Sequence, residues 1–474
     1  MRHMNRKKKL HVIGMCGKGT SATALLMREH GWEISGSDQS IFEPIAGYLK
    51  KHGVPCFETY HADNLPDDTD MVLLGSTAMI DTRSNPELLK AQELDIPIKS
   101  FAEILSDLTQ DSDNIVVSGS YGKSTCSALL AHYLESQGKS PSYFIGAVPL
   151  GMHQSSKMGS SKYFVLEGDE YPHSTHDMTS KFMFYHAGSV LLTSGEHDHI
   201  NKFPTKESYI QPYKELVATL PSKGILVSAI NHPNVAEISQ SSSAPVVTYG
   251  LKNADYTAKN ISFAENTHFD IYHKEEFLGT FETSLLGLHN IENIIGTVAL
   301  SLEKKILSVS ELQDAVASFK GIKRRLDLKS QATSIPIYEG YGTSYTKVKT
   351  AIQAIKLHFP EKQLITIFEP HTFSWRNKNN LYWYHDAFVG SCEVMIYRPP
   401  THGAQSHEQI TQSQILETLK DHNQNAVAIH SEKEVFDIFE KKLNKDSIIL
   451  ILSSADLEGM IISIPKYCEQ KFPK

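Results

Sequence analysis

The stretch Asn114-Ile115-Val116-Val117-Ser118-Gly119-Ser120-Tyr121-Gly122-Lys123-Ser124-Thr125 constrains this chain more than any other. A short apolar run reads as a buried strand, a glycine-bearing turn follows, and Lys-Ser-Thr opens a helical stretch, Cys126 to Gln137, closed by Gly138. That order gathers backbone N–H groups and the positive end of a helix around one point, which suits the phosphates of a nucleotide triphosphate. The lysine then reaches the β- and γ-oxygens, and the first hydroxyl, Ser124, suits Mg²⁺. The full Walker pattern wants its first glycine where this chain has Val117; the glycine is Gly119 instead. An ordinary strand-to-helix turn with a surface lysine would share the shorter pattern, so the wider context has to decide.

The length, 474 residues, points to about three domains. With 40% hydrophobic and 21% charged residues the composition is that of a globular enzyme. A net charge of −8 argues against nucleic acid as a partner, because gripping a phosphate backbone needs a basic excess, whereas one nucleotide needs only a local positive site. No apolar run reaches the roughly 18–20 residues of a membrane span. The basic start, Met1 to Lys9, precedes an apolar run of only about four residues, too short for a secretory signal, and reads as a frayed terminus. Five cysteines, Cys16, Cys56, Cys126, Cys392 and Cys468, with no C-x-x-C pair, fit a reducing cytoplasm rather than a disulfide framework or zinc site. Cys16 and Cys126 flank glycine turns, but small buried packing explains them better than nucleophilic chemistry.

The expected fold class is α/β in three domains: a Rossmann-like unit over 1–108, a central P-loop-type unit over 109–325 and a Rossmann-like unit over 326–474. In the first, His11–Gly14 enters a glycine turn followed by a helix from Ser21 to His30, and Trp32–Gly36, Met71–Gly75 and Ile96–Ile98 read as further strands, with helices at Pro44–His52 and Pro86–Leu94. Gly14, Gly17 and Gly19, with Asp38 about twenty residues on, approach a dinucleotide fingerprint, but the spacing is not G-x-G-x-x-G. They point better to a nucleotide diphosphate or sugar nucleotide over a helix N-terminus; a glycine turn without ligand is the plain alternative.

In the second, strands are expected at Tyr163–Gly168, Ser189–Thr193 and Gly224–Ser228, helices at His289–Lys304 and, from the Ser308/Glu311 capping box, up to Phe319, and an antiparallel extension with one wet face over Val246–Leu286. In the third, strands Ile335–Tyr338, Leu364–Phe368, Val394–Tyr397, Ala426–Ile429 and Ser447–Leu452 alternate with helices near Thr346–His358, Leu381–Val389, Ser406–Lys420 and Ser431–Leu443.

Two strand ends carry further chemistry. Tyr163–Leu166 delivers Glu167-Gly168-Asp169-Glu170 where open α/β sheets hold ligands, so a carboxylate there is well placed to share Mg²⁺ with Ser124; a solvated acidic turn is the milder reading. Val190–Thr193 delivers Ser194-Gly195-Glu196-His197-Asp198-His199, a second metal or acid–base site, or else a polar loop.

Taken together the motifs resemble the Mur ligases, which build the peptide stem of bacterial cell-wall precursors. The family's phosphate loop matches Gly119–Thr125, its E-A-D-E matches Glu167–Glu170, its N-x-E-x-D-H matches Ser194–His199, its G-x-H-N-x-x-N matches Gly287–Asn293, and its G-x-x-R-R matches Gly321–Arg325. The resemblance implies ATP-driven amide synthesis with ATP and Mg²⁺: Lys123, Glu167 and His199 as catalytic residues; Ser124, Glu167 and His199 as metal ligands. It further implies an ATP site drawing on Gly119, Ser120, Tyr121, Gly122, Lys123, Ser124, Thr125, His289, Asn290, Asn293 and Arg325. The first segment would hold the UDP of a sugar nucleotide, with Gly14, Cys16, Gly17, Lys18, Gly19 and Thr20 facing the diphosphate and Asp38 nearby.

The implied partners are UDP-N-acetylmuramate and an amino acid or peptide, with no nucleic acid and no membrane, in a cytoplasmic monomer or weak homodimer. Gly36-Ser37-Asp38, Asn85-Pro86, Ile145–Leu150 and Ser180-Lys181-Phe182 ahead of Tyr185 favour L-alanyl-γ-D-glutamyl-meso-diaminopimelate as the incoming amine. Glu369–Ser374 leans toward single L-alanine.

The third segment departs from the family's D-Y-x-H-x-P: the aspartate is Gly340, the histidine Thr343 and the proline Tyr345, while Ser194 replaces the asparagine of the histidine motif. These changes predict an active ligase with altered nucleotide affinity. A ligase-like binding protein without turnover is the alternative of another class; a nicotinamide dehydrogenase on Gly14–Asp38 would leave the phosphate loop unexplained.

Overall fold

Apolar strands ending in short turns recur down the chain, and in the computed structural model they assemble into three sheets. The structure describes all residues except 1–5, 40, 42–44, 52, 76–79, 153, 175–176, 198–201, 265 and 402–407; for 45, 46 and 48 it describes the backbone alone. The chain divides into two compact units, one of Met1–Asn260, Phe269–Phe281 and Glu292–Phe319, the other of Ile261–His268, Glu282–Ile291 and Lys320–Lys474.

The first sheet has five parallel strands in the order Cys56–Phe57, Glu33–Ser37, Lys9–Ile13, Met71–Leu74, Ile98–Lys99. The basic start does not simply fray: Lys9 already belongs to the first strand, and Arg6 and Lys9 pair with Asp68 and Asp70 at the surface. The helix after the glycine turn runs Lys18–Glu29, three residues earlier than expected, because Gly17 is its cap.

The second sheet runs Glu276–Thr283, Thr267–His273, Tyr256–Phe263, Val246–Tyr249, Ile225–Ala229, Ser189–Leu192, Asp113–Ser118, Tyr163–Glu167, Ser142–Phe144, Ser156–Lys157. Val246–Tyr249 pairs parallel to Ile225–Ala229, and Tyr256–Phe263 pairs parallel to it at Tyr249 and Tyr256, so the parallel part runs two strands further than the alternation suggested. Beyond it, Thr267–His273 and Glu276–Thr283 are neighbours joined by two residues, the connection of an antiparallel hairpin. Asp113–Ser118 lies centrally, paired on either side with Ser189–Leu192 and Tyr163–Glu167, so the turns after all three open at one edge.

The third sheet, in the second unit, runs Arg325–Leu328, Ile337–Gly340, Ser447–Leu452, Gln363–Phe368, Glu393–Tyr397, Ala426–Ile429, with the first strand antiparallel and the others parallel. The helix expected over Leu381–Val389 is instead a 3-10 segment, Lys378–His385. Burial of Trp375 and Tyr384 decides this: the Tyr384 hydroxyl donates to the Trp375 carbonyl at 2.9 Å, which ties the segment into a tight turn. The helix expected over Ser406–Lys420 begins at Gln412, behind a Thr411/Gln414 capping box, and ends at Asp421; Ser406 and His407 lie outside the described residues.

A buried polar cluster braces the first sheet beneath the glycine turn. Glu87, fully buried, faces His11 Nε2 at 3.2 Å and accepts from Ser37 Oγ at 2.5 Å and Asn64 Nδ2 at 2.7 Å. Burial alone would raise its pKa; the contacts with His11, Ser37 and Asn64 prevail and hold it below the usual 4.5. A depressed carboxyl stabilises the fold above its unfolded pKa and loses that contribution as pH falls through the lower folded value. Glu87→Gln is therefore expected to cost about 2 kcal/mol near neutrality and to flatten the acid side of the stability curve, read by denaturant unfolding between about pH 3 and pH 7. An unchanged acid limb would refute it.

Candidate active site

Two glycines shape the phosphate loop. Gly119 has φ +135° and Gly122 φ +86°, and Gly122 caps the helix Lys123–Ser136, so the helix begins at the lysine itself, three residues before the expected Cys126. The loop is held from the neighbouring strand end: Thr193 Oγ1 donates to the Tyr121 carbonyl, and Ser194 Oγ accepts from Tyr121 N at 2.8 Å. Ser194, in place of the family's asparagine, thus serves as a buried strap on the loop. Asn293 lies against the same loop, its Oδ1 3.3 Å from Cys126 Sγ. Burial pushes the Cys126 thiol well above its ordinary pKa, which suits packing and not nucleophilic attack. All five cysteines are free.

Lys123 Nζ donates to the Gly119 carbonyl at 2.5 Å and to Glu170 Oε2 at 2.9 Å. Burial opposes its charge, but Glu170 first, then Asp169 and Glu167, raise its pKa above the usual lysine value, so the ammonium is kept. Ser124 Oγ donates to Glu167 Oε1 at 2.8 Å, and the other Glu167 oxygen accepts from Gly146 N at 2.7 Å. Among the described residues no three His, Cys, Asp or Glu side chains form a ready metal cage. One hydroxyl and one carboxylate, at the mouth of a phosphate loop, fit Mg²⁺, which takes few protein ligands and completes its shell with water and phosphate oxygens.

A cavity of about 830 Å³ within the first unit brings two predicted groups together. Gly14, Cys16, Gly17, Lys18, Gly19 and Thr20 line it from the glycine turn, Asp38 from the end of the next strand, Lys123 from the phosphate loop and Glu167 from the end of Tyr163–Glu167. Asp38 Oδ2 accepts from Cys16 N at 2.8 Å and so fixes the turn. Lys181, unforeseen as a site residue, also lines the cavity, pairs with Asp169 at 2.6 Å and lies over the Phe101 and Tyr171 rings. Its one visible signal was its place in the Ser180-Lys181-Phe182 run.

The remaining predicted residues fall elsewhere. His199 and Asp198 lie outside the described residues. His289, Asn290 and Arg325 belong to the second unit. There Asn290 donates to the Leu286 carbonyl at 2.9 Å at the start of the helix Leu288–Glu303, and Arg325 stacks 5.2 Å from the Tyr341 ring. A Cβ on Gly340 would meet the side-chain tip of Leu452, its Cδ2, at 2.7 Å, so an aspartate here would need Leu452 to shift. The adjacent Glu339 is buried and bound by Arg324 Nε at 2.8 Å and Lys329 Nζ at 2.5 Å.

Comparison with known proteins bears on this architecture directly. Residues 9–112 match the Mur ligase family catalytic-domain model and residues 117–301 the Mur ligase middle-domain model. A UDP-N-acetylmuramate–L-alanine ligase of Dictyoglomus turgidum is 30% identical over 377 residues, 78% of this chain and 77% of that relative. The solved UDP-N-acetylmuramate-alanine ligase of Thermotoga maritima shares the fold with a TM-score of 0.80 at 21% identity, over 98% of this chain and 99% of that one. The UDP-N-acetylmuramate:L-alanyl-gamma-D-glutamyl-meso-diaminopimelate ligase of Neisseria meningitides gives 0.62 at 25% identity, over 67% of this chain and all of that one, 100%.

The chain belongs to the Mur ligase family. It is an ATP-dependent ligase of peptidoglycan synthesis that forms a C–N bond and works with Mg²⁺. Among the described residues no helix is long and apolar enough to cross a membrane.

Proposed function

We propose that the chain joins L-alanine to the carboxylate of UDP-N-acetylmuramate. The observation that carries the reading is the cavity shared by the glycine turn and by Lys123 and Glu167, which supports a sugar nucleotide whose acid end meets the phosphate loop. The muramoyl carboxylate, a poor electrophile, would accept the terminal phosphoryl group of ATP, and the amine would then displace phosphate from the acyl phosphate. Lys123 would hold the charge of the transferring group, which phosphoryl transfer needs more than covalent help. Ser124 and Glu167 would hold Mg²⁺, with His199 as a further ligand proposed from its motif. When bound there, Mg²⁺ supplies charge neutralisation between the two anionic substrates. We assign Gly119–Thr125 and Asn293 to the triphosphate, and from their motifs His289, Asn290 and Arg325 to the nucleotide. The glycine turn and Asp38 are assigned to UDP.

L-alanine as the amine is supported by the name of the Dictyoglomus relative and by Glu369–Ser374. The tripeptide favoured by Gly36–Asp38 and Ile145–Leu150 is the second reading, supported by the likeness to the Neisseria structure. Gly340 supports a looser grip on the ribose, and the cytoplasm is the compartment in which these substrates would be met. Phosphate release with UDP-N-acetylmuramate, ATP and each amine separates the readings: at least about tenfold higher kcat/KM for L-alanine is expected, equivalent to about 1.4 kcal/mol of discrimination. A preference for the tripeptide reverses the assignment, and background release with both refutes it.

A further inference from the structure

Among the described residues three lysines line the cavity: Lys18, Lys123 and Lys181. Lys18 opens the helix after the glycine turn and Lys123 the helix after the phosphate loop, whereas Lys181 belongs to neither. It opens the 3-10 segment Lys181–Phe184, and its backbone N–H donates to the Tyr171 carbonyl at 3.0 Å. That bond seats the segment against the acidic turn that follows Tyr163–Glu167, and the fully buried Phe182 pins it there.

The far end of the side chain is fixed as well. Lys181 Nζ donates to Asp169 Oδ2 at 2.6 Å, while Asp169 Oδ1 accepts from Tyr171 N at 3.1 Å, so the carboxylate is held in place. The ammonium lies over the Phe101 and Tyr171 rings, 5.4 and 5.7 Å from their centroids. Phe101 in turn packs on the glycine turn, since a Cβ on Gly19 would meet its ring at 2.9 Å. Lys181 thus stands one ring away from the turn assigned to the diphosphate, and one carboxylate away from the strand end that carries Glu167. Only 8% exposed, it has given up most of its water. Apolar residues in place of a buried ion pair are often neutral for stability, so the fold alone gives no reason for a lysine here. An ammonium has three protons to donate, and among the described residues Asp169 takes one of them.

Glu167, Asp169 and Glu170 line the same cavity. A substrate carboxylate entering it meets three negative groups, and like charges brought together oppose binding. The diphosphate has the N–H groups and helix end of the glycine turn, and the triphosphate has Lys123. The muramoyl carboxylate is the anion still to be matched. We propose that Lys181 holds the muramoyl carboxylate of the sugar nucleotide, keeping Asp169 as its tether and giving a second N–H to the substrate. The inference rests on the reading of the cavity as a UDP-N-acetylmuramate site, and it makes Lys181 the residue that tells this sugar nucleotide from one without an acid.

Calorimetric titration of the full chain, without ATP or Mg²⁺, tests it with two ligands. UDP-N-acetylglucosamine carries the same nucleotide and diphosphate as UDP-N-acetylmuramate but no lactyl carboxylate. Lys181→Met is expected to bind UDP-N-acetylmuramate about tenfold more weakly, the loss of one charge-assisted hydrogen bond, and UDP-N-acetylglucosamine within about twofold of the parent. An equal loss for both ligands overturns the proposal, since a structural role or a grip on the diphosphate would weaken both. Unchanged affinity for UDP-N-acetylmuramate overturns it too. Should Lys181→Met fail to fold, Lys181→Gln, which keeps a donor for Asp169 but no charge, decides by the same ratio. A parent chain that binds neither ligand overturns the sugar-nucleotide reading itself, whereas a parent that binds UDP-N-acetylmuramate with a ratio unmoved by the substitution overturns the role of Lys181 alone.

Discussion

Replacing Lys123 with methionine is expected to lower ligase turnover by about 10²–10³-fold, the usual effect of removing one donor aimed at developing charge. Lys123 is the first residue of its helix, its ammonium lies in the loop beside the Gly119 carbonyl, and it lines the cavity that the glycine turn Gly14–Thr20 also lines. A loss of activity alone would be ambiguous, because the substitution also breaks the buried pair with Glu170. Breaking a buried pair by removing one partner costs about 3–5 kcal/mol. The second substitution Glu170→Gln separates the two effects. Lys123→Met with Glu170→Gln should recover most of the lost melting temperature and none of the lost turnover. Turnover of Lys123→Met within a few-fold of the parent, measured by phosphate release at saturating substrates, would remove the chemical role assigned to this lysine.

The parts of this molecule that were legible in its sequence are those in which local pattern and tertiary burial agree. Ile115–Val117 is apolar and leads through a glycine-bearing turn to Lys-Ser-Thr; the strand it belongs to, Asp113–Ser118, lies at the centre of its sheet with Ile115–Val117 fully buried, so nothing competes with the local signal. The same holds for Ser308 and Glu311, whose capping box forms as the spacing predicts. An equivalent capping box at Ser100 and Glu103 opens the helix Phe101–Thr109. Legibility fails where a distant contact overrides the local preference. Pro465 speaks against a helix, yet Met460–Lys471 is one, with Pro465 buried. Arg325–Leu328 becomes an edge strand although Leu326 within it and Arg324 just before it have positive φ, a conformation that no residue pattern announces. In the site, the sequence could name Lys123 and Glu167 because each follows a strand in a motif. It could not name Tyr209: its place is that of any residue on a helix face turned to a core, and only the position of Ser120, which accepts from its hydroxyl at 2.9 Å, ties it to the phosphate loop.

A methyl group at position 119 is expected to damage the protein more than its size suggests. Gly119 has φ +135°, which L-residues rarely adopt, and a Cβ there would collide with Thr193 Oγ1 and approach Ser194 N and O to 2.7 and 2.8 Å. Two of these atoms are backbone and cannot swing aside, and Thr193 is itself bonded to the Ser118 and Tyr121 carbonyls. Strained backbone and overpacking each cost about 1–3 kcal/mol, so Gly119→Ala should lose about 3–5 kcal/mol. The loop cannot relax without parting from Ser194, and parting would redirect the N–H groups that the triphosphate needs; analogue affinity should therefore fall with stability, by at least about tenfold. Gly138→Ala is the control. It too has positive φ, +67°, at a helix end, but no atom lies within 4 Å of its Cβ position, so only the backbone term of about 1 kcal/mol applies and nucleotide binding should be unchanged. If Gly119→Ala and Gly138→Ala melt together and bind the analogue alike, the close seating of the phosphate loop against Thr193 and Ser194 is not what holds it in shape.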